Sequence, residues 1–204
     1  MESFVEHLRF LEKMALRLRI DLLRMLHNSK SGHLGGSLSV IEMMVAVYYG
    51  QLPRGPVLKY DPAKPGSEEQ DYFVLSKGHA SPAWYVTLAD LEFFPKDELM
   101  DFRQVNSLLQ AYPSKKIPGI VLSTGGPAYG LAAAVGLAMS LKADRIPNHL
   151  FCLAGDGELQ DGQFWEAAML ANQYKLDNLT VLIDWNGLQM DGALRSVVGI
   201  EPIA

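Results

Sequence analysis

Residues 153–168 read LAGDGELQDGQFWEAA and place three acids, Asp156, Glu158 and Asp161, in close succession directly after the apolar run HLFCLA. An apolar run ending in small residues and opening into Gly-Asp-Gly reads as a strand, and α/β proteins present ligands in the crevice at the carboxyl ends of their strands. Further on, a second apolar run, LTVLID, ends in WNGLQMDG and brings Asn186 to the equivalent place. A helical pattern lies between the two runs. Strand, helix and strand then form a βαβ unit, and a right-handed crossover between parallel strands puts both turns at one sheet edge. A carboxylate from Asp156 and a carboxamide from Asn186 would converge there. Both are hard oxygen ligands, suited to Mg2+ or Ca2+ and poorly suited to zinc, and waters with diphosphate oxygens would complete an octahedron. Gly155 and Gly157 let a phosphate approach the backbone, and a helix starting near residue 162 offers N–H groups and the positive end of its dipole. A plainer reading stands beside this one: Asp156 stabilises a turn or caps the helix, and Asn186 occupies a left-handed turn before Gly187. The spacing alone leaves both open.

The rest of the chain must supply a scaffold for that edge. With 204 residues, 49% of them hydrophobic, it has enough apolar material for the core of one domain. A net charge of −5 without basic runs argues against nucleic acid or an anionic membrane as partner. No stretch approaches the ~18 uninterrupted apolar residues of a membrane span, and the charged start MESFVEHLRF lacks the apolar core of a signal peptide. The single cysteine, Cys152, lies inside an apolar run and reads as a small buried hydrophobe in a reducing, cytoplasmic compartment.

Phe4, Leu8, Leu11, Ala15, Leu18, Leu22 and Met25 recur at helical spacing and predict an amphipathic helix over 3–27, its arginines on the solvated face. SGHLGGS breaks it at 31–37, and Ser39 with Glu42 forms a capping-box pattern before the apolar helix VIEMMVAVYY, which Gly50 closes. Residues 51–70 read as an irregular surface connection, YFVL at 72–75 as a short buried strand, and 80–91 as a helix, with a second helix after Pro95. A loop at 113–118 leads to STGGPAYG and a small-residue helix over 131–141, whose alanines and Gly136 permit close packing. Strands at 149–154 and 179–184 flank a helix over 162–174. The expected class is α/β, a parallel sheet with helices on both faces.

GDGELQDGQFWEAA followed by DNLTVLIDWNGLQMDG resembles the thiamine diphosphate motif of transketolases, and the resemblance extends through SGHLGGS and DYFVLSKGHAS. It is similar above all to the N-terminal subunit of split bacterial transketolases. The resemblance implies that Asp156, the Asn186 side chain and the Leu188 backbone carbonyl hold Mg2+, with Ca2+ as a substitute, and that the ion grips thiamine diphosphate. Gly155, Gly157, Gly125 and His79 would contact the cofactor. His33 and His79 would be the catalytic pair facing the sugar substrate. Asp161 matches a family glutamate proposed to link two active sites, although an acid at a helix N-terminus explains it nearly as well. Asp191 reads as local structure.

The implied activity is transfer of a two-carbon ketol unit between sugar phosphates. The implied partner is a separate C-terminal, pyrimidine-binding subunit, and the implied assembly a dimer of heterodimers. Against the family pattern, the chain is expected to be a fragment or an abbreviated homologue, because relatives continue beyond GIEPIA. It also departs from the family at Tyr112, where a histidine is usual, and at Pro127 and Ala128, substitutions expected to remodel the cofactor loop. Two other readings fit these motifs: a non-catalytic homologue kept for its interface, and a related enzyme such as dihydroxyacetone synthase or deoxyxylulose phosphate synthase.

Overall fold

The computed structural model describes residues 4–190 and 192–201; Asp191 and the first residue of the expected opening helix lie outside the described residues. The chain divides into two compact units, Met1–Asp71 with His79–Ser123, and Tyr72–Gly78 with Thr124–Ala204.

The first unit is largely helical: α1 (Phe4–Ser29), α2 (Leu34–Leu38), α3 (Ile41–Tyr49), a two-residue hairpin of β1 (Gln51–Leu52) and β2 (Gly55–Pro56), α4 (Ser81–Asp90) and a 3-10 turn over Lys96–Asp101. Helix α1 packs on α3 and α4 through Met14, Ala15, Leu18, Leu22, Met25 and Leu26. Phe4 and Leu8, expected in the same stripe, remain 81% and 45% exposed. Spacing locates an apolar stripe, but burial needs a facing partner, and the packed part of this one begins at Met14. The arginines are not merely solvated: Arg17 pairs with the buried Asp90 at 2.6 Å, and Arg19 with Glu42 at 2.5 Å.

That second pair explains why the expected capping box is absent. Glu42 is engaged by Arg19, the Ser39 hydroxyl donates to the Gly36 carbonyl at 3.2 Å, and α3 begins at Ile41 with no side-chain cap. The glycine segment read as a loop contains the helical turn α2, and the helix expected after Pro95 is the 3-10 turn. Helix α4 is buried on every side from Ser81 to Ala89, which is how a helix apolar all round becomes a core element. Within it, the Trp84 indole N–H donates to the Tyr48 hydroxyl at 2.6 Å, so burial of the ring leaves no donor unpaired.

The second unit is the parallel α/β element that the strand pattern predicts. It comprises β3 (Tyr72–Leu75), α5 (Tyr129–Ala143), β4 (Leu150–Gly155), a 3-10 turn over Asp156–Gln160, α6 (Gly162–Gln173) and β5 (Leu179–Asp184). A hairpin of β6 (Leu188–Gln189) and β7 (Gly192–Ala193) and the short α7 (Leu194–Val197) follow. The sheet order is β3-β4-β5, both pairs parallel, with Leu75 opposite Leu153 and Gly155 opposite Asp184. Helix α5 packs against all three strands and against α6. Cys152 is fully buried in the central strand, and burial pushes its thiol well above the ordinary range, which fits a packing role and not a reactive one. Among the described residues no helix is long and apolar enough to cross a membrane.

The close approach expected at Gly136 lies instead at Gly130. Gly136 has open space around it, whereas a Cβ on Gly130 would sit 2.4 Å from the Ser76 Cα, a backbone atom that has no rotamer to yield. We therefore expect Gly130→Ala to destabilise the chain by about 2 kcal/mol or more, as overpacking against a fixed neighbour does, while Gly136→Ala is neutral or slightly stabilising through helix propensity. Urea unfolding of both variants reads the difference.

Candidate functional site

In the second unit the register that sets Gly155 opposite Asp184 carries the two strand ends into adjacent turns. Asp156 is 3% exposed and accepts one backbone N–H on each carboxylate oxygen, from Gly157 on Oδ1 and from Gly187 on Oδ2, both at 2.8 Å. The second bond joins the Asp156 turn to the turn carrying Asn186, so these residues are neighbours as their placement on parallel strands predicts. Gly187 takes φ +71°, and it, not Asn186, supplies the left-handed residue of that turn. The Asn186 carboxamide is held at both ends: Oδ1 accepts the Leu188 N–H at 2.8 Å, closing an Asx turn, and Nδ2 donates to Asp184 Oδ2 at 2.9 Å. Leu188 thus stands beside Asn186 at the start of the β6–β7 hairpin. Gln189 of that hairpin accepts from the Gln160 side chain at 2.8 Å, which ties it to the turn after Asp156.

Three residues given no role by the sequence reading organise this edge. Asp184 Oδ2 also takes the Lys77 ammonium at 2.5 Å, with the two side chains 6% and 2% exposed. The Lys77 stem runs beside Gly155, where an added Cβ would lie 3.7 Å from Lys77 Cδ. Glu158, the middle acid of the motif, is buried and accepts three donors: the Ser76 hydroxyl at 2.6 Å, the Ala128 N–H at 2.7 Å and the Gly155 N–H at 2.7 Å. Burial pushes its carboxyl above the usual range, while those donors and the Lys77 charge pull it down by less. The signals that could have exposed these roles were faint. Residues 184 and 186 share one side by the two-residue strand period, and Lys77 follows a strand end.

The loop before α5 keeps its shape despite the substitutions. Ala128 adopts φ +55°, the left-handed conformation a glycine would take, at a strain of about 1–2 kcal/mol, so the expected remodelling does not occur at this residue. The Glu158 carboxylate on its N–H and complete burial of its methyl hold it there. Thr124 anchors the other end of the loop through the Leu75 carbonyl at 2.7 Å, leaving Gly125 exposed between the two anchors. Asp161 is the N-cap of α6, accepting the Gln163 N–H at 2.9 Å. The helix end expected to face a phosphate is therefore satisfied by the chain's own carboxylate, which also accounts for Asp161 locally.

In the first unit, His33 stands at the N-terminus of α2 and His79 in a 3-10 turn, and their rings lie 5.4 Å apart between centroids at 66°. Residues distant in sequence thus form one imidazole pair. The Tyr112 side chain is 44% exposed, while its backbone carbonyl accepts from the Tyr85 hydroxyl at 2.9 Å.

Among the described residues, no three His, Cys, Asp or Glu side chains gather into a metal cage. An ion at Asp156 would therefore be completed by amide, carbonyl, water and ligand oxygens, which is hard-cation chemistry. Each Asp156 oxygen accepts a single N–H and keeps a lone pair for such an ion, so the donor set fits Mg2+ or Ca2+.

Comparison with known proteins points the same way. Residues 11–200 match the family described as "Transketolase, thiamine diphosphate binding domain". One of the two subunits of the apulose-4-phosphate transketolase of Phocaeicola vulgatus is 37% identical over 191 residues, covering 94% of this chain and 66% of that protein. The 6-deoxy-6-sulfo-D-fructose transketolase subunit SqwG of Clostridium sp. is 39% identical over 173 residues, covering 84% and 61%. The chain thus spans just under two thirds of the length of these relatives. The crystal structure of transketolase from Campylobacter jejuni superposes with a TM-score of 0.86 at 31% identity, covering 95% of this chain and 31% of that one.

Glu158 sets a pH dependence. An acid whose folded pKa is raised contributes stability that is complete below the unfolded value of about 4.3 and is lost as pH rises through the folded value. Wild-type stability should therefore contain a component that declines as pH increases above about 4.3, and Glu158→Gln should lack it. Denaturant unfolding of both proteins at closely spaced pH values measures the component directly.

Proposed function

Because the chain belongs to the transketolase thiamine diphosphate-binding family, we propose that it is the diphosphate-binding subunit of a two-chain transketolase. In this reading it holds Mg2+ through Asp156, the Asn186 side chain and the Leu188 carbonyl. The observation that carries it is the Gly187 N–H bond to Asp156, which fixes the carboxylate and the Asn186 turn as one oxygen-rich edge. Bound thiamine diphosphate would supply the nucleophilic carbon through which a two-carbon ketol unit passes from a ketose to an aldose. The chain's own part is to bind and orient. A diphosphate facing a bare carboxylate is repelled, so Asp156 serves the ligand only through a bridging cation, Mg2+ or Ca2+ in its place. Gly155 and Gly157 leave the turn backbone open to the phosphates, and Gly125 presents backbone from the loop before α5. His33 and His79, as imidazoles near neutrality, donate to or accept protons from sugar hydroxyls, and His79 also contacts the cofactor.

Relatives named as single subunits of a transketolase support a second chain that completes the site with its pyrimidine-binding half, the assembly closing as a dimer of heterodimers. Sugar phosphates are the substrates and the cytoplasm the compartment, in keeping with a lone buried cysteine. The left-handed Ala128 favours a working cofactor loop over a non-catalytic homologue.

Titration calorimetry of thiamine diphosphate into the assembled protein should show binding with Mg2+, and loss of at least tenfold in affinity with chelator or in Asp156→Ala; equal affinity in all three would defeat the reading. Tyr112 cannot carry positive charge at neutral pH where relatives place histidine. If that charge acts on the donor sugar in the transition state, Tyr112→His should raise kcat/KM for xylulose 5-phosphate about ten- to a hundredfold, the rate equivalent of one charge-assisted hydrogen bond. A coupled transketolase assay measures it.

A further inference from the structure

We infer that Lys77 and Asp184 are positioning residues for the metal edge: together they decide which end of the Asn186 carboxamide faces the ion. This rests on the proposed Mg2+ site and deepens it. A carboxamide has an oxygen that ligates a cation and an NH2 that repels one, and the two ends differ little in shape. Asn186 could turn either end toward Asp156. What breaks the tie is Asp184, two residues earlier on the same side of the strand end. As an ionised carboxylate it only accepts, and its Oδ2 lies 2.9 Å from Asn186 Nδ2, so it captures the NH2 end. The oxygen is left toward the Leu188 N–H, with a lone pair remaining for the ion.

Asp184 can perform this function only while it stays ionised and fixed, although its side chain is 6% exposed. Lys77 meets both needs. Its ammonium binds the same oxygen that receives Asn186, and at 2% exposure it has little water with which to exchange that partner. The lysine reaches the site from the loop after β3, its stem passing Gly155, the residue opposite Asp184 in the sheet register. A contact in sequence-distant parts of the unit thereby fixes a ligand's orientation. Partners behind a ligand typically change metal affinity about ten- to a hundredfold when removed.

The test measures Mn2+ affinity, from the free-ion paramagnetic resonance signal, on the assembled protein with thiamine diphosphate present, and monitors folding by cooperative thermal unfolding. Asp156→Ala should abolish binding. Asp184→Asn, which offers Asn186 an NH2 in place of an acceptor, should weaken Mn2+ about tenfold or more. The swap Asp184→Asn with Asn186→Asp restores one donor and one acceptor between the two positions and keeps the net charge, so it should recover affinity to within about threefold. Lys77→Arg should bind as wild type does. The swap carries the test if Asp184→Asn does not fold. Wild-type affinity in a cooperatively folded Asp184→Asn, or a folded swap that does not bind, would overturn the inference and leave the metal site standing. Failure of the wild type to bind Mn2+ would overturn the site itself, and the inference with it.

Discussion

A carboxylate removed from water must find donors or take up a proton, and Glu158 finds three donors from three separate segments. Ser76 follows β3, Gly155 ends β4 and Ala128 opens α5, so one buried side chain registers every backbone turn at this sheet edge. Each bond to a charged acceptor contributes about 1.5–3 kcal/mol, against a desolvation penalty of several kcal/mol. The balance leaves the group raised in pKa yet anchored. Without that anchor, nothing else seen at the edge would offset the strain of a left-handed alanine at position 128.

Around this centre the edge is a graded set of polar contacts, buried toward the sheet and open toward the turns. Glu158, Lys77 and Asp184 lie within the packed layer; Asn186 and Leu188 lie outside it, exposed to whatever binds. The inner set is saturated with partners and therefore rigid, and the outer set inherits that rigidity through single hydrogen bonds. A site that must bring like-charged groups together around a cation gains from such an arrangement, because donors already aimed need no reorganisation when the ligand arrives.

The parallel unit was legible because its signals are local. LFCLAG and LTVLID are apolar runs of strand length bounded by glycine turns, with a helix between them, and those features sufficed to place Asp156 beside Asn186. The family resemblance added the role of each. What stayed hidden depends on contacts between distant positions. Lys77 within SKGH looks like any loop lysine until a strand over a hundred residues away supplies Asp184. Ser39 and Glu42 fit a capping box, yet Gly36 and Arg19 compete for them and win. The outward face of α1 carries Leu16, Ile20 and Leu23 exposed, a second apolar set that a search for one stripe passes over.

The interrupted path of the chain through its second unit has a consequence for synthesis. Strand β3 pairs only with β4 in this sheet, and the whole of Ser81–Ser123 belongs to the other unit. During translation, YFVL therefore emerges long before residues 150–153 exist to pair with it, and the Lys77–Asp184 contact closes 107 residues of chain. Nonlocal pairing of this kind makes for slow folding. The nascent chain holds an apolar strand and an unmatched lysine until β4 and β5 have left the ribosome, and only then does the metal edge acquire its form.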